Sequence, residues 1–147
     1  MSLDPHRGYD LIGDIHGCAR TLKRLLERLG YSRQSGVWRH PTRMAIFLGD
    51  LVDRGPGIRE TLHLVHDMVR AGQALCIMGN HEYNALGWYT EAPPDSERRH
   101  VREHTPRHVR DSTSVRAACA KARRLASISG LPAQASGMSI IMAWASG

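Results

Sequence analysis

Three glycine-led blocks hold the side chains of this chain that can do chemistry: Gly13-Asp14-Ile15-His16-Gly17, Gly49-Asp50-Leu51-Val52-Asp53-Arg54-Gly55 and Gly79-Asn80-His81-Glu82. Each sits directly behind an apolar run. Their carboxylates, imidazoles and amide form a mixed oxygen and nitrogen donor set. Such a set suits manganese, iron or zinc better than calcium or a thiolate-bound metal. Asp14 and His16 stand two residues apart, so an extended segment would aim both to one side. Asp50 has two carboxylate oxygens and can bridge a pair of ions, and Asn80 offers a neutral carbonyl oxygen to the second. Two ions about 3.5–4 Å apart can activate a bridging hydroxide and clamp a phosphoryl group for in-line displacement.

The remaining polar residues of the blocks fit the same reaction. Arg54 can grip phosphate oxygens with its fork of N–H donors and stabilise charge in the transition state. His81 is a candidate general acid for the leaving oxygen. Asp53 can accept a hydrogen bond from His81 and fix its tautomer. Glu82 reads as a support behind a ligand rather than a ligand itself. Taken singly, each block has a blander reading. The first is then a tight turn, Asp53-Arg54 a surface ion pair of little energetic worth, and Asn80 a left-handed turn residue. Order and spacing favour the joint reading. Asp14 and Asp50 lie 36 residues apart, and Asp50 and Asn80 lie 30 apart, about the length of one strand–helix–strand unit.

The elements needed to bring the blocks together are legible around them. Residues 9–15, 44–48 and 74–78 read as buried strands. Residues 18–29 read as a helix, with Leu22, Leu25, Leu26 and Leu29 on one face and Gly30 as its C-terminal cap. A second helix follows Gly55-Pro56-Gly57, with Ile58, Leu62, Val65 and Val69 inward and Gly72 ending it. Between them, 31–43 is polar and turn-rich, with a short extended piece at Val37-Trp38. The order is β-α-β-α-β, an α/β class. Continuous apolar strands predict a parallel sheet covered on both faces, with the three blocks at its carboxyl edge, where ligands gather in such sheets.

Composition sets the outer bounds. The 147 residues carry 41% apolar side chains, sufficient for one domain core, with Phe47 as the single phenylalanine. The net charge is +6. A solvated Arg-rich surface is a better reading of that charge than nucleic-acid binding, although a basic phosphate or nucleic-acid binder remains a third alternative. Cys18, Cys76 and Cys119 match no zinc or redox spacing. Cys18 and Cys76 are expected as buried free thiols in a reducing cytoplasm. The N-terminus has no signal-peptide pattern, and no apolar run is long enough to span a membrane. His100, His104 and His108 recur at helical spacing, but Pro106 and the neighbouring arginines favour a solvated basic segment over a metal site.

The blocks resemble the signature of the calcineurin-like metallophosphoesterases, in the form used by the phosphoprotein phosphatase branch. Bacterial serine/threonine phosphatases and symmetrical dinucleoside-tetraphosphatase-like enzymes are the nearest in kind. The resemblance covers residues 8–90. It implies Asp14, His16 and Asp50 at one metal ion, Asp50 and Asn80 at a second, His81 as acid with Asp53 as its partner, and Arg54 on phosphate. It implies manganese first, with iron or zinc as alternatives. It also implies the N-terminal half of an αββα sandwich, whose second half supplies further histidines to the second ion. No histidine follows His108, and the apolar run 138–144 carries Met142 about where the first of those histidines would stand. The expectation is therefore a half-domain over 1–90 and a basic segment over 91–147, a truncated or divergent second half with an incomplete second metal site. The expected function is metal-dependent hydrolysis of a phosphoprotein, a dinucleoside polyphosphate or a phosphomonoester. The alternative is an impaired relative that binds metal and phosphate without turnover. A phosphorylated substrate is the expected partner, with self-association as a further expectation because a half-sandwich exposes an apolar face.

Overall fold

The apolar runs in front of the three blocks become the strands of one parallel sheet in the computed structural model, which describes residues 6–102. In chain order the elements are β1 (Gly8–Ile12), α1 (Ala19–Arg28), β2 (Ser32–Gln34), β3 (Val37–Arg39), β4 (Arg43–Phe47), α2 (Ile58–Arg70), β5 (Ala74–Cys76) and α3 (Asn80–Tyr89). The sheet order is β1-β4-β5, with both pairings parallel. The turn-rich stretch after α1 forms a small antiparallel hairpin, β2-β3, around the extended piece expected at Val37-Trp38. Among the described residues no helix is long and apolar enough to cross a membrane.

Alternation along the strands separates two faces. Ile12, Ala45, Phe47 and Ala74 are buried and meet Leu22, Leu26, Val65 and Met68 from the helices. Phe47, Leu26, Met68 and Val65 are among the most fully buried side chains. The other face carries Leu11, Ile46 and Leu75, which stand side by side across the sheet, and Leu11 is 68% exposed. Covering on both faces was expected; among the described residues the helices cover one. The cause is topological. Parallel crossovers are right-handed, and the strand order β1-β4-β5 advances in one direction without reversing. Both helices therefore fall on the same side, where Lys23 of α1 pairs with Glu60 of α2.

Both crossover helices end on glycine with the paired hydrogen bonds of a Schellman motif. In α1 these are Tyr31 N–H to Leu26 and Gly30 N–H to Glu27, and in α2 they are Gln73 N–H to Met68 and Gly72 N–H to Val69. The apolar face of α1 is narrower than its leucines suggest, because Leu25 is 39% exposed. Cys18 corrects a second expectation. It precedes the first turn of α1 and is exposed rather than buried. Cys76 is half-buried, and its thiol is pushed up to about 12 by burial and by Glu82. A thiol held that high stays protonated and unreactive at neutral pH. Cys119, His104, His108 and the apolar run 138–144 lie outside the described residues, whereas His100 forms an isolated bridge with Glu91.

A polar knot ties the strands together away from the blocks. The buried Asp10 carboxylate accepts from Arg43 Nε at 2.9 Å and from the Tyr31 hydroxyl at 3.0 Å, and it also pairs with Arg43 Nη2. Arg43 holds the Asp10 carboxyl below its ordinary value, an effect that burial opposes and Tyr31 assists. A carboxylate with a depressed folded pKa adds stability above its unfolded pKa and loses it as pH falls through the folded one. Asp10→Asn should therefore lower the melting temperature at pH 7. The gap from the parent should close as pH drops below the ordinary aspartate value of 3.8. Melting curves followed by circular dichroism from pH 7 to pH 2.5 check this; a gap that stays constant to the lowest pH would refute it.

Candidate functional site

The three blocks meet at the carboxyl edge of the sheet because backbone bonds lace each to the next. Blocks one and two, with Gly57 just beyond the second, share four. His16 N–H donates to Asp50 O at 2.8 Å and Gly17 N–H to Leu51 O at 2.7 Å, while Gly55 and Gly57 donate back to His16 O and Gly17 O at 2.8 Å each. Blocks two and three are joined most extensively by Glu82. The buried Glu82 carboxylate accepts from the N–H groups of Asp50 at 2.7 Å, Leu51 at 2.8 Å, Val52 at 3.1 Å and Gly79 at 3.0 Å. The Gly79 contact is also the glutamate half of a capping box at the start of α3; glycine has no side chain to supply the other half.

Close approach explains two of the glycines. A Cβ on Gly49 would lie 2.1 Å from Gly79 N, and a Cβ on Gly79 would lie 2.2 Å from Asp50 Oδ1. Any side chain at either position would push blocks two and three apart.

Ligand atoms of His16, Asp50 and His81 lie within 4.8 Å of one another. His16 places Nδ1 3.0 Å from Val52 O. A carbonyl can only accept, so Nδ1 carries the proton and Nε2 presents its lone pair outward. His81 places Nδ1 2.6 Å from Asp53 Oδ2, and its backbone N–H donates to Asp50 Oδ1 at 3.2 Å. The two imidazoles meet edge to face, with ring centres 4.6 Å apart.

The Asn80 amide lies 3.2 and 3.3 Å from the two Asp50 carboxylate oxygens; with its NH2 toward them it donates to both, and with a cation between them the same amide can turn its carbonyl oxygen in. With His16 Nε2 nearby, this donor set fits a divalent ion of the borderline class.

Not every expected residue joins this cluster in the same way. Asp14 Oδ1 is 3.7 Å from His16 Nε2, but the Asp14 side chain is 86% exposed. The premise that aligned Asp14 with His16 also changes. β1 ends at Ile12, and the two residues have φ of +51° and +46°. They belong to a left-handed turn, not an extended segment. Asp50, Asp53 and Arg54 share this conformation, at +53°, +68° and +67°. Left-handed backbone at non-glycine residues is costly and clusters at functional sites. Arg54 is exposed. The helix that begins at Asn80 was not expected. Its buried residues are Glu82, Ala85 and Trp88, and a glutamate on that stripe hides the helical period.

The calcineurin-like phosphoesterase family model matches residues 9–123. The chain belongs to that family. Among curated relatives, the asymmetrical bis(5'-nucleosyl)-tetraphosphatase PrpE of Halalkalibacterium halodurans is 45% identical over 74 residues, covering 50% of this chain and 30% of the relative. The protein of the same name from Oceanobacillus iheyensis is 42% identical over 73 residues, covering 49% and 29%. The chain thus matches less than a third of the length of these relatives. Their name carries the asymmetrical activity, where the sequence suggested symmetrical enzymes. Among solved structures, a putative diadenosine tetraphosphatase aligns with TM-score 0.46 and 27% identity over 58% of this chain and 33% of its own.

Two outcomes follow for this cluster. Glu82→Gln sets an amide NH2 against backbone N–H donors, so the loop that carries Asp50 loosens. Affinity for manganese, measured by calorimetry on folded protein, should fall about 10–100-fold, as for other groups that orient ligands from behind; unchanged affinity would refute the support role. At Arg54 the left-handed backbone penalises any Cβ. Arg54→Gly should therefore be more stable to urea than Arg54→Ala by about 1 kcal/mol, the reverse of the usual ranking.

Proposed function

We propose that this chain carries the metal-binding part of a metal-dependent phosphoesterase, and that its substrate is a dinucleoside polyphosphate. The observation that supports this best is the convergence of His16, Asp50 and His81, with the Asn80 amide beside the Asp50 carboxylate. The relatives' name supports the substrate class.

In this reading Asp14, His16 and Asp50 would hold one divalent ion, and Asp50 with Asn80 would hold a second. Manganese is preferred, ahead of iron and zinc. When bound, such ions supply Lewis acidity, lowering the pKa of water and neutralising charge on the phosphoryl oxygens. The chain's own groups do the rest. Glu82 keeps the Asp50 backbone in register with block three. Asp53 takes the Nδ1 proton of His81 in a hydrogen bond, which orients the ring so that Nε2 can deliver a proton to the leaving oxygen. Arg54 grips the phosphoryl oxygens through two parallel N–H bonds and stabilises them as charge builds.

The test uses the whole chain with added Mn²⁺, assayed on diadenosine tetraphosphate and on p-nitrophenyl phosphate. Asp50→Asn should abolish metal binding and turnover together. His81→Ala should keep metal binding and lower kcat by about 10²–10⁴-fold, the usual span for a general acid. Metal binding without turnover in the folded parent would reject hydrolysis in favour of a metal- and phosphate-binding relative.

A further inference from the structure

A small second core lies beside the main one and ties blocks one and two to α3. Val52, Ile58, Ala85 and Trp88 form this buried cluster, and Trp88 is 4% exposed. Half-buried Leu62 packs against both cores. Val52 belongs to block two. Ile58 opens α2 and lies against block one, since a Cβ on Gly17 would stand 2.7 Å from Ile58 Cγ1. Ala85 and Trp88 come from α3, the helix that block three begins. Trp88 is the largest of these side chains and brings the most apolar surface. The main core reaches Ile15 and Leu51, but among the described residues no buried member of it comes from α3.

Val52 is where the small core meets the chemistry. Its carbonyl oxygen lies 3.0 Å from His16 Nδ1, and its N–H donates to Glu82 Oε1 at 3.1 Å. One residue thus fixes which His16 nitrogen is free and helps to seat the Glu82 carboxylate. Its side chain sits among Ile58, Ala85 and Trp88, so a shift of that side chain moves both backbone groups. Glu82, Ala85 and Trp88 follow one another at three-residue steps along the buried stripe of α3. The stripe therefore holds Val52 twice, by a carboxylate at its N–H and by packing at its side chain.

We propose that Trp88 is a positioning residue for the metal cluster. By filling the small core it holds the Val52 peptide on His16 and Glu82, and with it the register of α3 against block two. This rests on the metal-dependent reading above and deepens it, assigning the cluster's geometry to a residue outside the three blocks. The competing role is bulk stability, in which Trp88 buries apolar area as any core residue does. The two differ in where a substitution is felt.

The experiment uses the whole chain, with Mn²⁺ as the ligand. The variants are Trp88→Leu, Trp88→Phe and, as a main-core control on α2, Val65→Ala. Amide hydrogen exchange of the metal-free protein is read at Leu51 and Val52, whose N–H groups donate to Glu82. It is also read at Tyr31 and Ala45, whose N–H groups pair with Leu26 and Gln73. Lost bulk stability lowers protection at all of these amides by one factor, whereas a local loosening does not. Trp88→Leu should lower protection at Leu51 and Val52 at least tenfold more than at Tyr31 and Ala45. It should also weaken Mn²⁺ binding, measured by calorimetry on folded protein, about tenfold. Trp88→Phe should restore most of both, and Val65→Ala should leave Mn²⁺ affinity at the parent's value. Equal loss at all of these amides in Trp88→Leu would overturn the assignment. So would an unchanged Mn²⁺ affinity in Trp88→Leu while Asp50→Asn abolishes binding. Should Trp88→Leu not fold, Ile58→Val removes one methyl group from the same core and carries the comparison, with a selective loss of about threefold expected and an even loss refuting. If Asp50→Asn binds Mn²⁺ as tightly as the parent, the metal reading has failed, and the amide comparison alone then decides whether Trp88 holds Val52 in place.

Discussion

Everything at the carboxyl edge of the sheet depends on the Glu82 carboxylate and the four backbone N–H groups it accepts. Three of those donors belong to the loop after β4 and one to the turn after β5. A buried carboxylate is costly unless its oxygens are satisfied, and here the donors come from the main chain rather than from a lysine or arginine. The loop that carries Asp50 therefore cannot relax without leaving that charge unpaired. The same contacts hold Asp50 at φ +53°, a conformation the residue would not keep unaided. The strain in block two and the clamp from block three are two sides of one arrangement.

That clamp works only because glycines let two loops touch. Gly49 and Gly79 meet backbone to backbone, and the Asp50 side chain fills the space a Gly79 side chain would need. The lacing between blocks one and two adds the His16 ring, whose free nitrogen is set by the Val52 carbonyl. Chemistry and packing thus share residues. A substitution that spares every metal-seeking side chain can still dismantle the cluster by parting the loops.

The sheet explains why, among the described residues, the cluster sits at an edge with one flank that the helices leave uncovered. A strand order that never reverses puts both crossover helices on one face and leaves Leu11, Ile46 and Leu75 on the other. The buried knot of Asp10, Arg43 and Tyr31 holds β1 to β4 independently of the blocks. Polar contacts thus fasten the fold both at the site and away from it, around a core built on Phe47, Leu26, Val65 and Met68.

Much of this was legible in the residues themselves. Apolar runs ended by glycine mark strand ends, since glycine stops a strand where a sharp turn must follow, and that alone located Asp14, Asp50 and Asn80 on one edge. Leucine spacing located α1, and Gly30 and Gly72 located the helix ends. Other features were invisible for physical reasons. α3 was missed because its inward stripe begins with a charged residue, and only a distant loop supplies the donors that make burying Glu82 favourable. Cys18 was misplaced because its exposure depends on where the helix starts, not on its apolar neighbours. The turn geometry around His16 depends on the backbone bonds from His16 and Gly17 to Asp50 and Leu51, 34 residues further along the chain. Local sequence carries donor types and strand ends because these depend on nearby residues. Which groups converge, at what distances and on which face of the sheet, was decided by tertiary contacts between segments that no local pattern connects.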